Sequence, residues 1–355
     1  MIYKTIEELT TVVTGGTPST SKAEYWENGN IPWLQSGCCQ NCDVNQADKF
    51  ISQSGYDNSS TQVMPVNTVM IALTGATAGK VGYLNVEACG NQSITGIFPC
   101  EELNPRFLFY FLISQRRKIL VDCVGGAQAH ISQGYVKKIK VPVYSKSIQE
   151  RIVNIMNICS KNIKHYEMIL KEYDVLVKAR FIEMFGDPVL NERKFPTLSG
   201  ADFFKLSNGR AVPDEKRIET GIPAYGGNGI SWYTDEFLMA EDTIVVGRVG
   251  FQSGNVHYVI GPLWITDNAM YISQYDKDKF NLRFLCELMQ HVNFSRFQDA
   301  GDLKKITQKP FMTFKYILPS MDLQQKFVNF KIEVDKSRFD IKKSITEIER
   351  EVVYD

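Results

Sequence analysis

Several short segments of this sequence contain the residue types of catalytic motifs. Pro213-Asp214-Glu215-Lys216 has the acids and the lysine of a metal-dependent nuclease, but the spacer between the two acids is missing. A metal needs several converging oxygen ligands, so a charged turn is the better interpretation. Asn104-Pro105-Arg106-Phe107 lacks the second proline of an amino-methyltransferase motif, and Gly79-Lys80 lacks the Ser or Thr of a phosphate-binding loop. We therefore predict no catalytic residues, so the chain is not expected to be an enzyme.

Cysteine and histidine are the remaining residue types that hold metals. Cys39 and Cys42, with Cys38 beside them, have zinc-knuckle spacing, but no second Cys or His pair follows at a suitable distance. A zinc site and a loop with free thiols both stay open, and the loop is favoured. The four histidines are dispersed, at His130, His165, His257 and His291. We therefore predict that this chain binds neither a metal nor a cofactor.

The composition predicts a packed globular protein. The chain has 355 residues, of which 44% are hydrophobic and 23% charged, enough for two domains of ordinary size. Its eight cysteines are scattered, which favours reduced thiols over a disulfide framework. No apolar stretch is long enough to span a membrane, and the first residues form no apolar signal core. A cytoplasmic location is the expectation.

Charge is unevenly distributed, although 40 basic residues balance 40 acidic ones. Residues 1–60 contain seven acids and three lysines, whereas residues 105–140 contain seven Lys and Arg against Asp122 alone. A neutral chain with one basic segment is typical of a protein that offers one face to phosphate and other faces to protein.

A long internal repeat decides the predicted architecture. Several segments recur at an offset of 175 to 177 residues, which is too long for a solenoid and indicates a duplicated unit. The matching pairs are Asn67-Thr68-Val69-Met70-Ile71 with Asp242-Thr243-Ile244-Val245-Val246, Gly75 with Gly250, Asn104-Pro105-Arg106-Phe107-Leu108 with Asn281-Leu282-Arg283-Phe284-Leu285, and Ile131-Ser132-Gln133 with Ile306-Thr307-Gln308.

Each copy contains short β-branched segments bounded by Gly or Asn, which predict strands. In the first copy a helix follows, with Asn104 as its N-cap, Pro105 at its first position and no breaker from Phe107 to Val121; in the second copy the matching helix runs from about Leu282 to Phe297. The expected strands are Val69–Leu73, Val81–Leu84 and Ile94–Phe98, then Thr243–Val249, Val256–Ile260 and Met270–Ser273. Each copy therefore predicts a mixed α/β globule.

Each copy closes with a long helix whose apolar residues alternate in steps of four and three, the pattern of a coiled coil. Polar Asn162 and Ser337 coincide in the two seams; such a residue either sets the helix register or faces solvent. The first seam is Ile148, Ile152, Ile155, Cys159, Asn162, Tyr166, Ile169, Tyr173 and Leu176, and the second is Leu323, Phe327, Phe330, Val334, Ser337, Ile341, Ser344 and Ile348.

The order of these segments, duplicated with the two helices, resembles the specificity subunit of type I restriction-modification enzymes over essentially the whole chain. In the first copy the resemblance is carried by Ile31-Pro32-Trp33, the glycine-rich run from Thr74 to Gly82, Gly125-Gly126-Ala127-Gln128 before Ile131-Ser132, Val141-Pro142-Val143 before Ser147-Ile148-Gln149-Glu150-Arg151-Ile152, and Met184-Phe185-Gly186-Asp187-Pro188. In the second it is carried by Gly247-Arg248-Val249-Gly250, Ser253-Gly254-Asn255, and Leu318-Pro319 before Leu323-Gln324-Gln325-Lys326-Phe327.

The resemblance implies an α+β fold of two mixed α/β target-recognition domains, each followed by a long helix, with the helices packed as an antiparallel coiled coil. The domain boundaries expected are 1–146 and 188–319 for the recognition domains, and 147–187 and 320–355 for the helices. The second copy departs from the first at Pro223-Ala224-Tyr225 and at Ala300-Gly301-Asp302. These departures imply that the two domains recognise different half-sites.

The resemblance also implies the function: a non-catalytic subunit that reads a bipartite double-stranded DNA site. Two methyltransferase subunits and the restriction (motor-nuclease) subunits would assemble on it, and those partners would carry S-adenosylmethionine, ATP and Mg²⁺. The alternative is a structural scaffold of an inactive system that no longer reads DNA.

DNA contacts are expected from Arg, Lys, Asn and Gln on loops, since these side chains read bases and clamp phosphates. Each candidate could equally be a solvated surface residue. Nearby glycines (Gly75, Gly79, Gly226, Gly227, Gly250 and Gly254) would let loops approach DNA, or serve tight turns. The candidates are Lys22, Gln35, Lys80, Arg116, Arg117, Lys137 and Lys138 in the first domain, and Arg210, Lys216, Arg217, Asn228, Arg248, Lys304 and Lys305 in the second.

Overall fold

The structure, a computed structural model, describes residues 2–122, 130–211, 213–299, 301 and 304–354, the last four of these as backbone only. The Gly125-Gly126-Ala127-Gln128 segment lies outside the described residues. The chain divides into two compact units, Met1–Glu167 with Lys342–Asp355, and Met168–Ile341. Each unit holds one globular domain and a part of each long helix.

The first domain contains a five-stranded sheet, a three-stranded sheet and a strand pair, in the orders β2-β9-β6-β7-β4, β5-β3-β8 and β1-β10. Neighbouring strands are antiparallel except in the pairs β4–β7 and β3–β8. The elements are β1 (Ile2–Thr5), α1 (Ile6–Leu9), β2 (Val12–Thr14), β3 (Ile31–Leu34), β4 (Cys42–Val44), β5 (Lys49–Ile51), α2 (Gln53–Asp57), β6 (Val69–Ala72), β7 (Val81–Leu84), β8 (Cys89–Gly90), β9 (Ile94–Ile97), α3 (Pro105–Asp122), α4 (Gln133–Lys138) and β10 (Lys140–Val143).

Strand β6 is central to this domain because both of its faces are buried. Val69 and Ile71 belong to the apolar core that includes α3, whereas Met70 and Ala72 belong to a second core on the other face. Side chains alternate across a strand, so a continuous apolar run suits a strand that is covered on both sides.

The second domain has a four-stranded sheet β12-β18-β15-β16, a three-stranded sheet β14-β13-β17 and the pair β11-β19. Its core is rich in aromatic rings, among them Phe203, Phe284, Phe294 and Tyr316. The elements are β11 (Thr197–Ser199), β12 (Phe204–Asn208), β13 (Ile222–Gly226), β14 (Gly229–Thr234), β15 (Thr243–Gly247), β16 (Val256–Val259), β17 (Trp264–Ile265), β18 (Ala269–Tyr275), α6 (Leu282–Val292), α7 (Lys309–Thr313) and β19 (Lys315–Ile317). One long helix precedes this domain in the sequence and another follows it.

The two long helices are α5 (Lys146–Phe185) and α8 (Met321–Tyr354). In the second unit, Phe185 at the end of α5 packs on Phe327 near the start of α8, with ring centroids 5.7 Å apart. Farther back along α5, Asp174 pairs with Arg338, which lies farther forward along α8. The helices therefore run antiparallel there, and the predicted α+β fold class with two long packed helices is confirmed.

Helix α6 is shorter than expected. The predicted helix from Leu282 to Phe297 ends at Val292, because Asn293 adopts a left-handed conformation with φ of 57°. Asparagine tolerates this conformation and caps helices with it. A separate 3₁₀ turn, Phe294–Phe297, follows.

The predicted seam of α5 is wrong at four positions. Ile148, Ile155 and Leu176 are exposed to 47%, 52% and 45%, and Asn162 is exposed as well. The buried positions lie one residue along, at Gln149, Val153, Met156, Ile163 and Val177, where Met156 and Ile163 are half-buried. The physical reason is that α5 packs on its globular domains as well as on α8. Val153 belongs to the first-domain core and Val177 to the second.

In α8, by contrast, all eight predicted seam residues are buried or half-buried. Phe327 and Val334 belong to the second-domain core itself. Ser337 is half-buried while Asn162 is exposed, so the two polar positions that coincide in sequence differ in environment. Only Ser337 could influence the register of the helix pair.

Fully buried Gln149 ties the start of α5 to the first domain. Its Nε2 atom donates to the carbonyls of Glu102, at 2.9 Å, and Tyr144, at 2.8 Å. Its Oε1 atom accepts the backbone N–H of Asn104, at 2.6 Å. One amide thus satisfies three main-chain groups at the junction of domain and helix.

Gln324 repeats this arrangement at the start of α8. Its Nε2 atom donates to the carbonyls of Lys279 and Pro319, both at 2.9 Å, and its Oε1 atom accepts from the N–H of Asn281, also at 2.9 Å. It is fully buried, as Gln149 is. The duplication seen in the sequence therefore extends to individual hydrogen bonds.

A polar cluster joins α5, α6 and α8 inside the second unit. Buried Glu287 pairs with Lys331 at 2.9 Å. The ring of His291 stacks on Phe181, with centroids 3.9 Å apart. Burial, together with the smaller effect of the Lys178 charge, lowers the pKa of His291 to about 4. His291 is therefore neutral near pH 7.

His291 is expected to make stability depend on pH. Between its unfolded pKa near 6.5 and the folded value near 4, the unfolded chain binds a proton that the folded chain does not. Stability should therefore fall as pH drops through this window, by up to about 3 kcal/mol. In His291→Phe, which keeps the stacked ring, this part of the loss should vanish. Urea midpoints of both proteins from pH 7 to 4 measure it; parallel curves would contradict the assignment.

Candidate nucleic-acid interface

The β6–β7 and β15–β16 connections have the same backbone shape. Gly75 and Gly250 have φ of 75° and 89°, and Gly79 and Gly254 have φ of 72° and 91°. L-residues with side chains rarely adopt these angles, so glycine is required at both ends of each turn. These two segments, residues 74–80 and 249–255, are called the glycine turns below.

Backbone hydrogen bonds hold both glycine turns in the same way. The N–H of Gly79 donates to Ala72 and that of Gly254 to Gly247, each at 2.8 Å. A later segment of the chain also binds next to each turn. The Ile131 N–H donates to the carbonyl of Leu73 at 2.9 Å, and the Ile306 N–H donates to the carbonyl of Arg248 at 3.0 Å. These partners are again 175 residues apart in sequence.

The side chains on the two glycine turns differ, although the backbones match. Corresponding side chains differ in size, charge or hydrogen-bonding capacity, and hydrogen-bonding and apolar groups read different base edges. The positions that differ within the turns include Thr74 and Val249, Ala76 and Phe251, and Lys80 and Asn255.

In the second domain, the candidates Arg210, Asn228 and Arg248 gather around residues 265–269. The N–H of Arg210 donates to the carbonyl of Ile265 at 2.8 Å, and the Arg248 N–H donates to Asn268 at 2.9 Å. Asn228 is exposed at the tip of the β13–β14 hairpin, beside Gly227. A side chain on that glycine would lie 3.2 Å from the Cα atom of Gly247, so the tip touches the end of β15.

Lys304 and Lys305 complete this surface. The carbonyl of Lys304 accepts the N–H of Gly250 at 2.8 Å, and Val249 forms a β-bridge with Lys305. Both lysines are exposed. The set comprises four cationic residues and one amide: Arg210, Arg248, Lys304, Lys305 and Asn228. We call it the second-domain polar surface.

Lys216 and Arg217 lie apart from that surface, at the open end of the β13–β14 hairpin. Lys216 pairs with Glu236 at 2.5 Å, and Arg217 pairs with Asp214 at 2.6 Å. The Arg217 guanidinium also lies 4.0 Å from the ring centroid of Trp232. A phosphate would have to compete with these partners for both cations.

In the first domain, two candidates brace the glycine turn. Arg116 Nε donates to the carbonyl of Ala78 at 3.3 Å, and Lys80 Nζ donates to Gln40 Oε1 at 2.7 Å. Lys22 lies elsewhere; its Nζ donates to the hydroxyl of Tyr25 at 2.9 Å, and this bond raises its pKa.

The remaining first-domain candidates are spread over three elements. Gln35 is exposed beyond β3, Arg117 is exposed on α3, and Lys137 and Lys138 end α4, where Lys137 is half-buried. Lys138 shares a cavity of about 250 Å³ with Lys118 and Lys140, two lysines that we did not single out from the sequence. Both belong to the basic 105–140 segment, so its charge excess was the signal that pointed to them.

The cysteines considered as zinc ligands, Cys38, Cys39 and Cys42, do not converge on a common point that could hold a metal ion. Cys39 is buried, whereas Cys42 is exposed. Throughout the described ranges, no three His, Cys, Asp or Glu side chains converge in a way that would hold a metal ion. Over the same ranges, no helix combines the length and the apolar character that crossing a bilayer requires.

Comparison with known proteins finds relatives that are named as type I restriction enzyme specificity subunits. It is 25% identical over 366 residues to the EcoprrI specificity subunit of Escherichia coli, covering 95% of this chain and 87% of that one. It is 30% identical over 160 residues to the EcoR124I/EcoR124II specificity subunit, also of Escherichia coli. That second alignment spans 44% of this chain and less than half, 40%, of the relative.

Two solved structures share the fold. A type I restriction-modification S subunit from Mycoplasma genitalium superposes with a TM-score of 0.59 at 17% identity, over 99% of this chain and 93% of that one. A chain from a study of complex assembly and conformational transition in the type I system gives 0.66 at 11% identity, over 99% and 95%.

The family model described as the type I restriction modification DNA specificity domain matches residues 2–172 and again residues 194–350. The two matches correspond to the two copies found in the sequence and in the hydrogen bonds. The chain belongs to the type I restriction-modification specificity subunits and contains two target-recognition domains.

Proposed function

We propose that this chain reads a bipartite double-stranded DNA site, one half with each recognition domain. One observation carries the proposal: both domains present a glycine turn with the same main-chain hydrogen bonds but with different side chains. A common frame with changed side chains suits two readers of one kind of ligand that recognise different sequences.

The cations near these turns support the assignment to DNA. Arg248, Lys304 and Lys305 surround the second glycine turn, Arg116 contacts the first, and Lys80 belongs to the first. Phosphate contacts from Lys and Arg supply most of the sequence-independent affinity for DNA. Asn228 and the guanidinium of Arg248 are groups that can read base edges.

The chain itself is proposed to be non-catalytic. Two methyltransferase subunits and the restriction subunits would assemble on it, with the paired helices spacing the two readers. Those partners would bind S-adenosylmethionine, ATP and Mg²⁺. Purified chain incubated with duplex DNA and S-adenosylmethionine should transfer no methyl group; transfer by this chain alone would overturn the proposal.

Lys304→Ala should weaken DNA binding across all sequences. The assay is a salt titration of the assembled chain and partner methyltransferase on duplex DNA. Each lost phosphate contact lowers the slope of log K against log salt by about 0.9. Lys277→Ala, which removes an exposed lysine paired with Glu241, is the matched control and should keep the slope.

The same titration separates the proposal from its alternative. A scaffold that no longer reads DNA would show no steep salt dependence in the unmodified complex. Equal slopes for Lys304→Ala and Lys277→Ala would instead show that Lys304 makes no phosphate contact.

A further inference from the structure

The second glycine turn carries an exposed aromatic ring at its tip. Phe251 is 84% exposed, the largest fraction among the large apolar side chains of the described residues. A single exposed apolar side chain needs no explanation by itself. The backbone beneath Phe251 and the charges around it are what set this residue apart.

The backbone beneath the ring is held firmly. Gly250 N–H donates to the carbonyl of Lys304 at 2.8 Å, and Ser253 N–H donates to Gly250 at 3.0 Å. Gln298 Nε2 donates to the carbonyls of both Phe251, at 3.3 Å, and Ser253. A ring presented on a fixed turn loses little conformational entropy when it binds.

The charges around the ring are positive. Lys304 Nζ lies 5.2 Å from the Phe251 ring centroid. Arg248 lies three residues earlier, at the end of β15, and Lys305 bridges to the intervening Val249. Cations that flank an apolar ring are complementary to DNA, in which phosphates flank apolar base surfaces. Phenylalanine contacts bases there through the thymine methyl group or as a wedge between base steps.

We infer that Phe251 makes an apolar contact with a base in the half-site read by the second domain, while Lys304 binds an adjacent phosphate. The inference rests on the proposed function, because it requires the second domain to lie on DNA. Ala76 occupies the equivalent position of the first glycine turn, so the other half-site would lack this contact.

The test uses the assembled chain and partner methyltransferase to select from a pool of randomised duplex DNA. Phe251→Ala should weaken the preference at one or two adjacent base pairs of one half-site by about tenfold, and leave the other half-site unchanged. Phe251→Leu, which keeps an apolar side chain, should retain most of the preference. Phe237→Ala is the matched control, since Phe237 is 53% exposed beside Asp235 and Glu236 in the same domain.

A salt titration on one fixed duplex separates a base contact from a phosphate contact. Phe251→Ala should leave the slope of log K against log salt unchanged, whereas Lys304→Ala should lower it by about one. An unaltered selection profile for Phe251→Ala would overturn the inference, as would an equal loss on every sequence. If the unmodified complex selected no preferred sequence, that result would contradict the proposed function and this inference together.

Discussion

Replacing residues 1–146 with the recognition domain of another family member is expected to change one half of the DNA target completely and leave the other half intact. The first domain has its own cores, built around both faces of β6, and its own glycine turn. The side chains that differ between the turns would travel with the exchanged segment. Sequencing of methylated sites in cells that carry the chimaera and its partners reads the outcome directly.

The chimaera can fold at its junction only if the incoming domain meets one requirement. Gln149 stays with α5 and must find two carbonyl acceptors and one N–H in the incoming domain, as it does at Glu102, Tyr144 and Asn104. The matched control exchanges residues 188–319 and should alter the opposite half-site. Simultaneous change of both halves in either chimaera would show that the domains do not read separately.

Gln324→Ala is expected to destabilise the protein by roughly 2–4 kcal/mol, because it leaves one buried and two partly buried polar groups without this partner. The carbonyls of Lys279 and Pro319 and the N–H of Asn281 all depend on this amide. Buried main-chain groups without partners cost about 1–3 kcal/mol each, and partial relaxation limits the total. The shift of the urea midpoint in the full chain measures it.

Two further variants separate lost hydrogen bonds from lost volume. Gln324→Glu keeps the size and the acceptor but, when ionised, cannot donate to the two carbonyls, so it should destabilise as much as alanine does. Gln325→Ala alters the exposed neighbouring residue and should change the midpoint little. A stable Gln324→Glu protein would contradict the role given to the donor group.

The duplication was the most informative feature of the sequence. Segments such as Asn67–Ile71 and Asp242–Val246 predicted equivalent strands, and the structure contains them as β6 and β15. The two long helices, Lys146–Phe185 and Met321–Tyr354, lie within two residues of the expected boundaries 147–187 and 320–355, because apolar residues in steps of four and three are a strong local signal. These features suffice for the fold class.

The small strands and the face of α5 were harder to derive. Pairs such as β1–β10 and β11–β19 join residues more than one hundred positions apart, and three- or four-residue strands carry little periodic signal. The buried face of α5 is set by contacts of residues such as Val153 and Val177 with the globular cores. A heptad pattern describes only the contact between helices and carries no information about how α5 packs on the globular domains.

The DNA candidates remain predictions, and their environments now distinguish them. Arg248 and Lys304 lie together on one surface, while Lys216 and Arg217 have carboxylate partners. Residue type and charge, which are read from the sequence, do not distinguish Arg248 and Lys304 from Lys216 and Arg217. Their difference arises from tertiary pairing, since Glu236 reaches Lys216 only through the β13–β14 hairpin.

The glycine turns have a consequence for how such a protein changes over generations. Their shape comes from main-chain torsions and main-chain hydrogen bonds, so residues at the tip, such as Ala76 and Phe251, contribute little to folding. Surface substitutions of this kind usually alter stability by less than about 0.5 kcal/mol. Under the proposed function, a single substitution at the tip can therefore change the DNA preference while the chain still folds. Such an arrangement would let the proposed base contacts vary while the main-chain frame that presents them is kept.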